Sequence, residues 1–222
     1  MKLNKKRLLI VVLVVIGLVL VTACGPSAHK TRAVYLLLDT SGTYTEEINK
    51  AQAIINYLLA TLESGDSIAV ARIDSESFSE KDIIAKATFD ERPSVTNDQK
   101  RLFKQQINHF VQQLKHGSAN TDITGGVLQA AEFVNETRAK DKVIFIFSDL
   151  EEDLPKGHIR NFPIDVANIR VIALNVTKLR SDNIDPREYK TRLEHWQERV
   201  QQGGGDWVVV NDLDKIDRLI TM

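Results

Sequence analysis

The sequence predicts an open, doubly wound α/β sheet, mostly parallel, with helices on both faces and one antiparallel edge strand. Two observations carry this. Short continuous apolar runs bounded by turn residues recur along the chain, as strands buried on both faces require. Between them lie segments whose apolar residues recur at three and four, the amphipathic helical period. Alternation of the two calls for parallel strands joined by helical crossovers. The length fits one domain: 222 residues, 43% hydrophobic and 27% charged, bury a sufficient core without disulfides.

The elements follow in order. Residues 33–38 (AVYLLL) form the first strand. Ile48, Ala51, Ile54, Ile55, Leu58, Leu59 and Leu62 share a helical face that ends before Gly65-Asp66. Residues 67–73 are the second strand, and the weaker run at 85–89 is an edge. Thr96 or Asn97 is expected to cap a helix whose Leu102, Phe103, Ile107, Phe110, Val111 and Leu114 share a face, with Gly117 just beyond. Val127, Ala130, Ala131 and Val134 mark a third helix. Further strands fall at 143–147, 171–176 and 207–210. Tyr189, Leu193, Trp196 and Val200 mark a fourth helix stopped by three glycines at 203–205, and 213–220 reads as a short terminal helix. These apolar and aromatic stripes are core and carry no function.

The N-terminus reads as an address. Lys2, Lys5, Lys6 and Arg7 form a basic region ahead of the apolar stretch 8–23. At about 16 residues that stretch exceeds most signal cores and falls short of a comfortable membrane span, so its length alone leaves a cleaved leader and a permanent anchor both open. The next residues decide. Val21-Thr22-Ala23-Cys24 resembles the lipobox of bacterial lipoproteins. The resemblance implies diacylglyceryl transfer to the Cys24 thiol, cleavage before it and acylation, such as palmitate, on the new amine. Domain organisation is then signal peptide 1–23, lipid-anchored tether 24–32 and folded domain 33–222. The resemblance also implies a cell-envelope location, with Gly25 rather than Asp after the cysteine favouring the outer membrane if the cell is Gram-negative.

Charge and cysteine usage exclude other classes. Of 29 basic and 30 acidic residues, four basic ones lie within 1–23, leaving 25 against 30 and a net charge of −5. A mildly acidic domain with no basic, aromatic-interleaved run lacks the footprint of a nucleic-acid binder. A lone cysteine excludes intramolecular disulfides and multi-cysteine zinc sites. His29, His109, His116, His158 and His195 are scattered without ligand spacing.

In an open α/β sheet ligands bind beyond the carboxyl ends of the strands. Three loops near such ends are rich in oxygen: Asp39-Thr40-Ser41-Gly42-Thr43 after the first strand, Asn120-Thr121-Asp122 before the third helix, and Ser148-Asp149 after the strand at 143–147. A few carboxylates and hydroxyls from separate loops suit a hard cation such as Mg²⁺, which keeps several waters. Each loop alone reads as a turn or helix cap. Asp74-Ser75-Glu76-Ser77 reads as a polar edge loop and not as a second site.

Together, in this order and in these strand contexts, the loops resemble the metal-ion-dependent adhesion site of von Willebrand factor type A domains. Asp39, Ser41 and Thr43 match its DxSxS loop, Thr121 its second-loop threonine, and Asp149 the aspartate after its central strand. The resemblance runs from about Ala33 to the C-terminus. It implies one site for Mg²⁺, Mn²⁺ or Ca²⁺ and an envelope partner protein whose acidic side chain completes the metal shell, without catalysis. Two departures stand out: Thr43 replaces serine, and Leu150 replaces the usual glycine, followed by Glu151-Glu152-Asp153. The leucine is expected to reshape the rim, and the acids to repel an acidic ligand or add a cation contact.

The rival reading is a Mg²⁺-dependent phosphatase of the haloacid dehalogenase class, with Asp39 as nucleophile and Asp149 with Asp153 as its acidic loop. It resembles that class only in part, because Ser41 stands where a second carboxylate acts as general acid. No Gly-x-Ser-x-Gly elbow of a serine hydrolase occurs. A metal-free interaction domain is the third reading. The tether enters the first strand at its amino end, so the metal loops are expected to face away from the membrane.

Overall fold

The computed structural model describes residues 30–41, 47–75, 77–114 and 117–212. Six strands, β1 (Arg32–Asp39), β2 (Ser67–Ile73), β3 (Ile83–Thr88), β4 (Asp141–Phe147), β5 (Arg170–Leu174) and β6 (Asp206–Val210), form a sheet ordered β3-β2-β1-β4-β5-β6. All neighbours are parallel except β2 and β3. The exception has a local cause. Only residues 74–82 separate β2 from β3, including a 3₁₀ turn at Glu80–Asp82, too few for the crossover that a parallel return needs.

Four helices cover the sheet: α1 (Ile48–Thr61), α2 (Pro93–Gln113), α3 (Ile123–Glu136) and α4 (Pro186–Gln202). Alternation along β1 assigns them to faces. Val34, Leu36 and Leu38 share a core with Ile54, Ile55 and Leu58 of α1 and Phe103 and Ile107 of α2. Ala33, Tyr35 and Leu37 share the opposite core with Ile123, Val127 and Ala130 of α3 and Trp196 and Val200 of α4. Period-two strands and period-3.6 helices thus meet on both sides of a fully buried central strand.

The N-terminus of α3 lies unusually close to the sheet. A Cβ on Gly126 would stand 2.9 Å from a methyl of Leu37, and one on Gly125 would stand 2.5 Å from both Asp122 Oδ2 and the Ser77 carbonyl. Consecutive glycines therefore let the helix start against β1, beside the loops of interest.

Several expected boundaries move. α2 starts at Pro93, whose fixed φ suits a first helical position. Thr96 is therefore not a cap; it lies inside the first turn, and its hydroxyl donates to the Asp90 carbonyl at 2.6 Å. Leu102 leaves the shared face and is 60% exposed. The strand expected at 171–176 stops at Leu174 because Asn175 turns to φ 53°. The expected terminal helix at 213–220 and residues 1–29, with Cys24, lie outside the described residues. Among the described residues no helix is long and apolar enough to cross a membrane.

The chain order reverses between β1 and β4: β1 leads outward to β2 and β3, whereas β4 leads the other way to β5 and β6. In open sheets ligands bind at such a switch point, beyond the strands' carboxyl ends, and Asp39 and Asp149 stand at those ends here.

Candidate metal site

Asp39 is the last residue of β1 and is 2% exposed. Register places Leu38 against Phe147, so the next residue on each strand, Asp39 and Ser148, also meet. The Ser148 hydroxyl donates to Asp39 Oδ2 at 2.7 Å, and the Ser41 amide donates to Oδ1 at 2.8 Å. The Thr40 hydroxyl donates to the Ile73 carbonyl at the end of β2, which fixes the turn leaving the strand. Thr43 lies outside the described residues.

The second loop is stitched to the first. The Ser118 amide donates to the Thr40 carbonyl at 2.8 Å, and Ser41 and Ser118 form a parallel bridge. Thr121, 6% exposed, forms a two-way backbone bridge with Asp153: its amide donates at 2.7 Å and its carbonyl accepts at 3.0 Å. Asp122 caps α3 by accepting from the Gly125 amide and is also held by the Arg160 guanidinium at 2.7 Å. The structure thus brings the loops carrying Asp39, Ser41, Thr121 and Asp149 to one end of the sheet, around the β1–β4 boundary.

Beyond β4, Asp149 is 4% exposed, and its Oδ1 accepts from the Glu151 amide at 2.9 Å. Leu150 corrects an expectation: it does not shape the rim but is 1% exposed and packs into the core shared with Trp196. Its φ of +67° is the left-handed conformation that glycine adopts freely and leucine does not. Glycine is what the adhesion-site pattern has at this place, and the backbone shows why. Leucine accepts a strain on the order of 1 kcal/mol here, offset by burial of its side chain.

The three acids that follow each meet a partner on a neighbouring element. Glu151 reaches the Arg192 guanidinium at 3.4 Å, Glu152 accepts from the Thr124 amide at 2.7 Å, and Asp153 accepts from the Asn120 side chain at 3.0 Å. They clamp the third loop to α3, α4 and the second loop.

The electrostatics single out two carboxylates. Burial raises the Asp39 carboxyl above its ordinary range, against the lowering effect of its hydrogen bonds from Ser148 and Ser41. Burial likewise raises Asp149 to about 6, and the nearby Asp39 charge adds to the rise. Among the described residues neither carboxylate forms an ion pair with a Lys or Arg side chain. Two buried like charges, offset only in part by the Arg192 charge near Asp149, are costly, and a dication beside them would reduce that cost. The donor chemistry fits a hard cation: Asp39 and Asp149 as carboxylates, with Ser41 and Thr121 as hydroxyls. Among the described residues no cluster of three or more His, Cys, Asp or Glu side chains could hold a metal.

No protein-family profile matches the sequence, and no curated protein matches it. Solved structures do. The D319A mutant of the PilB minor pilin from Streptococcus sanguinis matches with a TM-score of 0.51 at 12% identity, over 89% of this chain and 61% of that one. The pilus adhesin SpaC from Lactobacillus rhamnosus GG, in its open conformation, matches with a TM-score of 0.51 at 8% identity, over 88% of this chain and 30% of that one. The likeness shows a shared fold, a doubly wound α/β sheet. BatB from Bacteroides thetaiotaomicron, described as a conserved hypothetical protein, has a TM-score of 0.49 at 15% identity, over 86% of this chain and 95% of that one. The chain spans about three fifths of the pilin and under a third of the adhesin.

Several residues of this arrangement escape a reading by motif. Asp74 stands after β2, so the strand-end rule points to it, yet its role is to brace: Ser118 Oγ lies 2.8 Å from its carboxylate, and the Asp122 amide donates to its carbonyl. Ser148 is next to Asp149 in sequence but serves Asp39. Trp196 sits on an amphipathic helix and reads as core, and Arg192 lies one turn before it; nothing local shows that both donate to the aspartate loop.

Proposed function

We propose that this chain is a membrane-anchored, extracytoplasmic protein-binding module of the bacterial envelope, engaging its partner through a divalent metal at an adhesion-type site. Asp39, Ser41, Thr121 and Asp149 would hold the metal, with Thr43 as a further hydroxyl. The observation that carries the reading is the pair of buried carboxylates, Asp39 and Asp149, at adjacent strand ends, both raised and neither paired with a basic side chain among the described residues. Such a pair has a physical reason to persist if a cation compensates it.

When bound, a dication held largely by neutral hydroxyls and water keeps positive charge toward an open coordination position and attracts an acidic side chain. The protein's own groups do the rest. Ser148 and the Ser41 amide fix the Asp39 carboxylate, and the Glu151 amide fixes that of Asp149, so neither must reorganise to receive a cation. Anchoring rests on the lipobox-like residues 21–24, and Mg²⁺, Mn²⁺ and Ca²⁺ are the candidate ions.

Calorimetric titration of Mg²⁺ and Mn²⁺ into the detergent-solubilised full chain tests this, with Asp39→Ala and Ser41→Ala alongside and phosphate release assayed on the same samples. Saturable one-to-one binding, lost in Asp39→Ala and weakened at least tenfold in Ser41→Ala, without turnover, is the expected result. Heat-silent mixing at millimolar metal would leave a metal-free interaction domain. Phosphate release that depends on Asp39 would instead make the chain a phosphatase.

A further inference from the structure

The carboxylate of Asp149 is only as well placed as the backbone that carries it, and that backbone is strained. Leu150 at φ +67° would relax to negative φ if its surroundings allowed, swinging the peptides on both sides. Two consecutive carbonyls flank this point, and each accepts from a side chain of α4. Arg192 Nε donates to the Asp149 carbonyl at 2.9 Å, and Trp196 Nε1 donates to the Leu150 carbonyl at 3.1 Å. The donors are four residues apart, one turn along a helix face, so a rigid element spans the strained turn.

Both donors are themselves immobilised. The Arg192 guanidinium reaches the Asp182 carboxylate at 2.9 and 3.3 Å and Glu151 at 3.4 Å, and its centre lies 5.7 Å from the Tyr189 ring. Asp182 is fixed in turn by accepting from the Leu179 amide at 2.7 Å. Trp196 is 1% exposed, with the Arg199 guanidinium 5.1 Å from its ring.

We propose that Arg192 and Trp196 are positioning residues: by holding the carbonyls of Asp149 and Leu150 they set the Asp149 carboxylate where a cation needs it. This rests on the metal-site reading. Arg192 would touch neither metal nor partner; it acts through the loop.

The test must separate positioning from mere stability, because removing Arg192 alone strands a buried Asp182. The variants are therefore Asp182→Asn, which keeps the donor to Asp149, and Asp182→Asn with Arg192→Met, which removes that donor without leaving a buried charge. Two quantities are measured on the full chain: Mg²⁺ affinity by calorimetry, and metal-free hydrogen exchange of the Glu151 amide, which donates to Asp149 Oδ1. Relative to Asp182→Asn, the double variant is expected to bind Mg²⁺ at least tenfold more weakly and to exchange that amide at least tenfold faster. Where wild type binds Mg²⁺, a double variant that matches Asp182→Asn in either quantity overturns the proposal. If wild type takes no metal, the metal reading falls, and exchange alone decides the loop claim: faster exchange supports it and unchanged exchange overturns it.

Discussion

Four of the aspartates buried near the carboxyl ends of the strands fall into two kinds. Asp122 and Asp182, each 1% exposed, are met by guanidinium groups, Arg160 at 2.7 Å and Arg192 at 2.9 Å. Asp39 and Asp149, at 2% and 4%, are met among the described residues by hydroxyl and amide donors. Arg192 holds the Asp182 carboxyl below its usual range, whereas burial drives Asp39 and Asp149 above it. The same residue type at the same depth therefore does opposite work. Paired aspartates complete the protein's own architecture, and under the proposed function the unpaired ones receive a charge from outside the chain.

The largest effect that would break this comparison is loss of a paired partner. Arg192→Met leaves Asp182 buried without a cation and removes the donor to the Asp149 carbonyl. Breaking a buried pair in this way costs about 3–5 kcal/mol, seen as a lower urea midpoint with unchanged slope. A cost under about 1 kcal/mol, the scale of an exposed pair, would mean that the pairing is not what stabilises Asp182.

A subtler effect sharpens the contrast through pH. Asp182 has a depressed native value, so its contribution to stability is present above the unfolded carboxylate value near 4 and is lost as pH falls through the native one. Asp149 has the reverse sign. Its native value of about 6 lies above the unfolded one, so its contribution is full below about pH 4 and is lost as pH rises through about 6. In chelator, Asp149→Asn is therefore expected to flatten a decline in stability between about pH 4 and 6, followed by denaturant unfolding across that window. Parallel wild-type and variant profiles would contradict the assignment.

Much of this was legible in the sequence, for identifiable reasons. Strands buried on both faces write themselves as apolar runs such as residues 33–38, and α3 and α4 show their core stripes at Val127, Ala130, Val134, Trp196 and Val200. The loops holding Asp39, Ser41, Thr121 and Asp149 could be picked because strand ends are where open sheets bind ligands. What could not be read was pairing across long chain separation. Arg192 meets Asp149 across 43 residues and Ser148 meets Asp39 across 109, and no periodicity encodes either. Leu150 misled in another way: a large apolar residue beside a site suggested a rim, and only its backbone angle shows the side chain turned inward. Leu102 misled by period alone, since its place in the helical repeat did not reveal that, among the described residues, it stays largely uncovered.

Under the proposed function, Asp39 and Asp149 are buried together to receive a cation. The most direct test is thermal unfolding of the full chain at neutral pH in chelator and in Mg²⁺, for wild type and Asp149→Asn. Ligand at about 100 times its Kd adds about 2.7 kcal/mol, roughly 5–10 °C for a domain of this size. Wild type is expected to gain that increment in Mg²⁺. Asp149→Asn should melt higher than wild type in chelator, freed of its like-charge repulsion, and gain little from the metal. If wild type melts at one temperature in both conditions and Asp149→Asn melts lower than wild type in chelator, the two carboxylates are structural and the account is wrong.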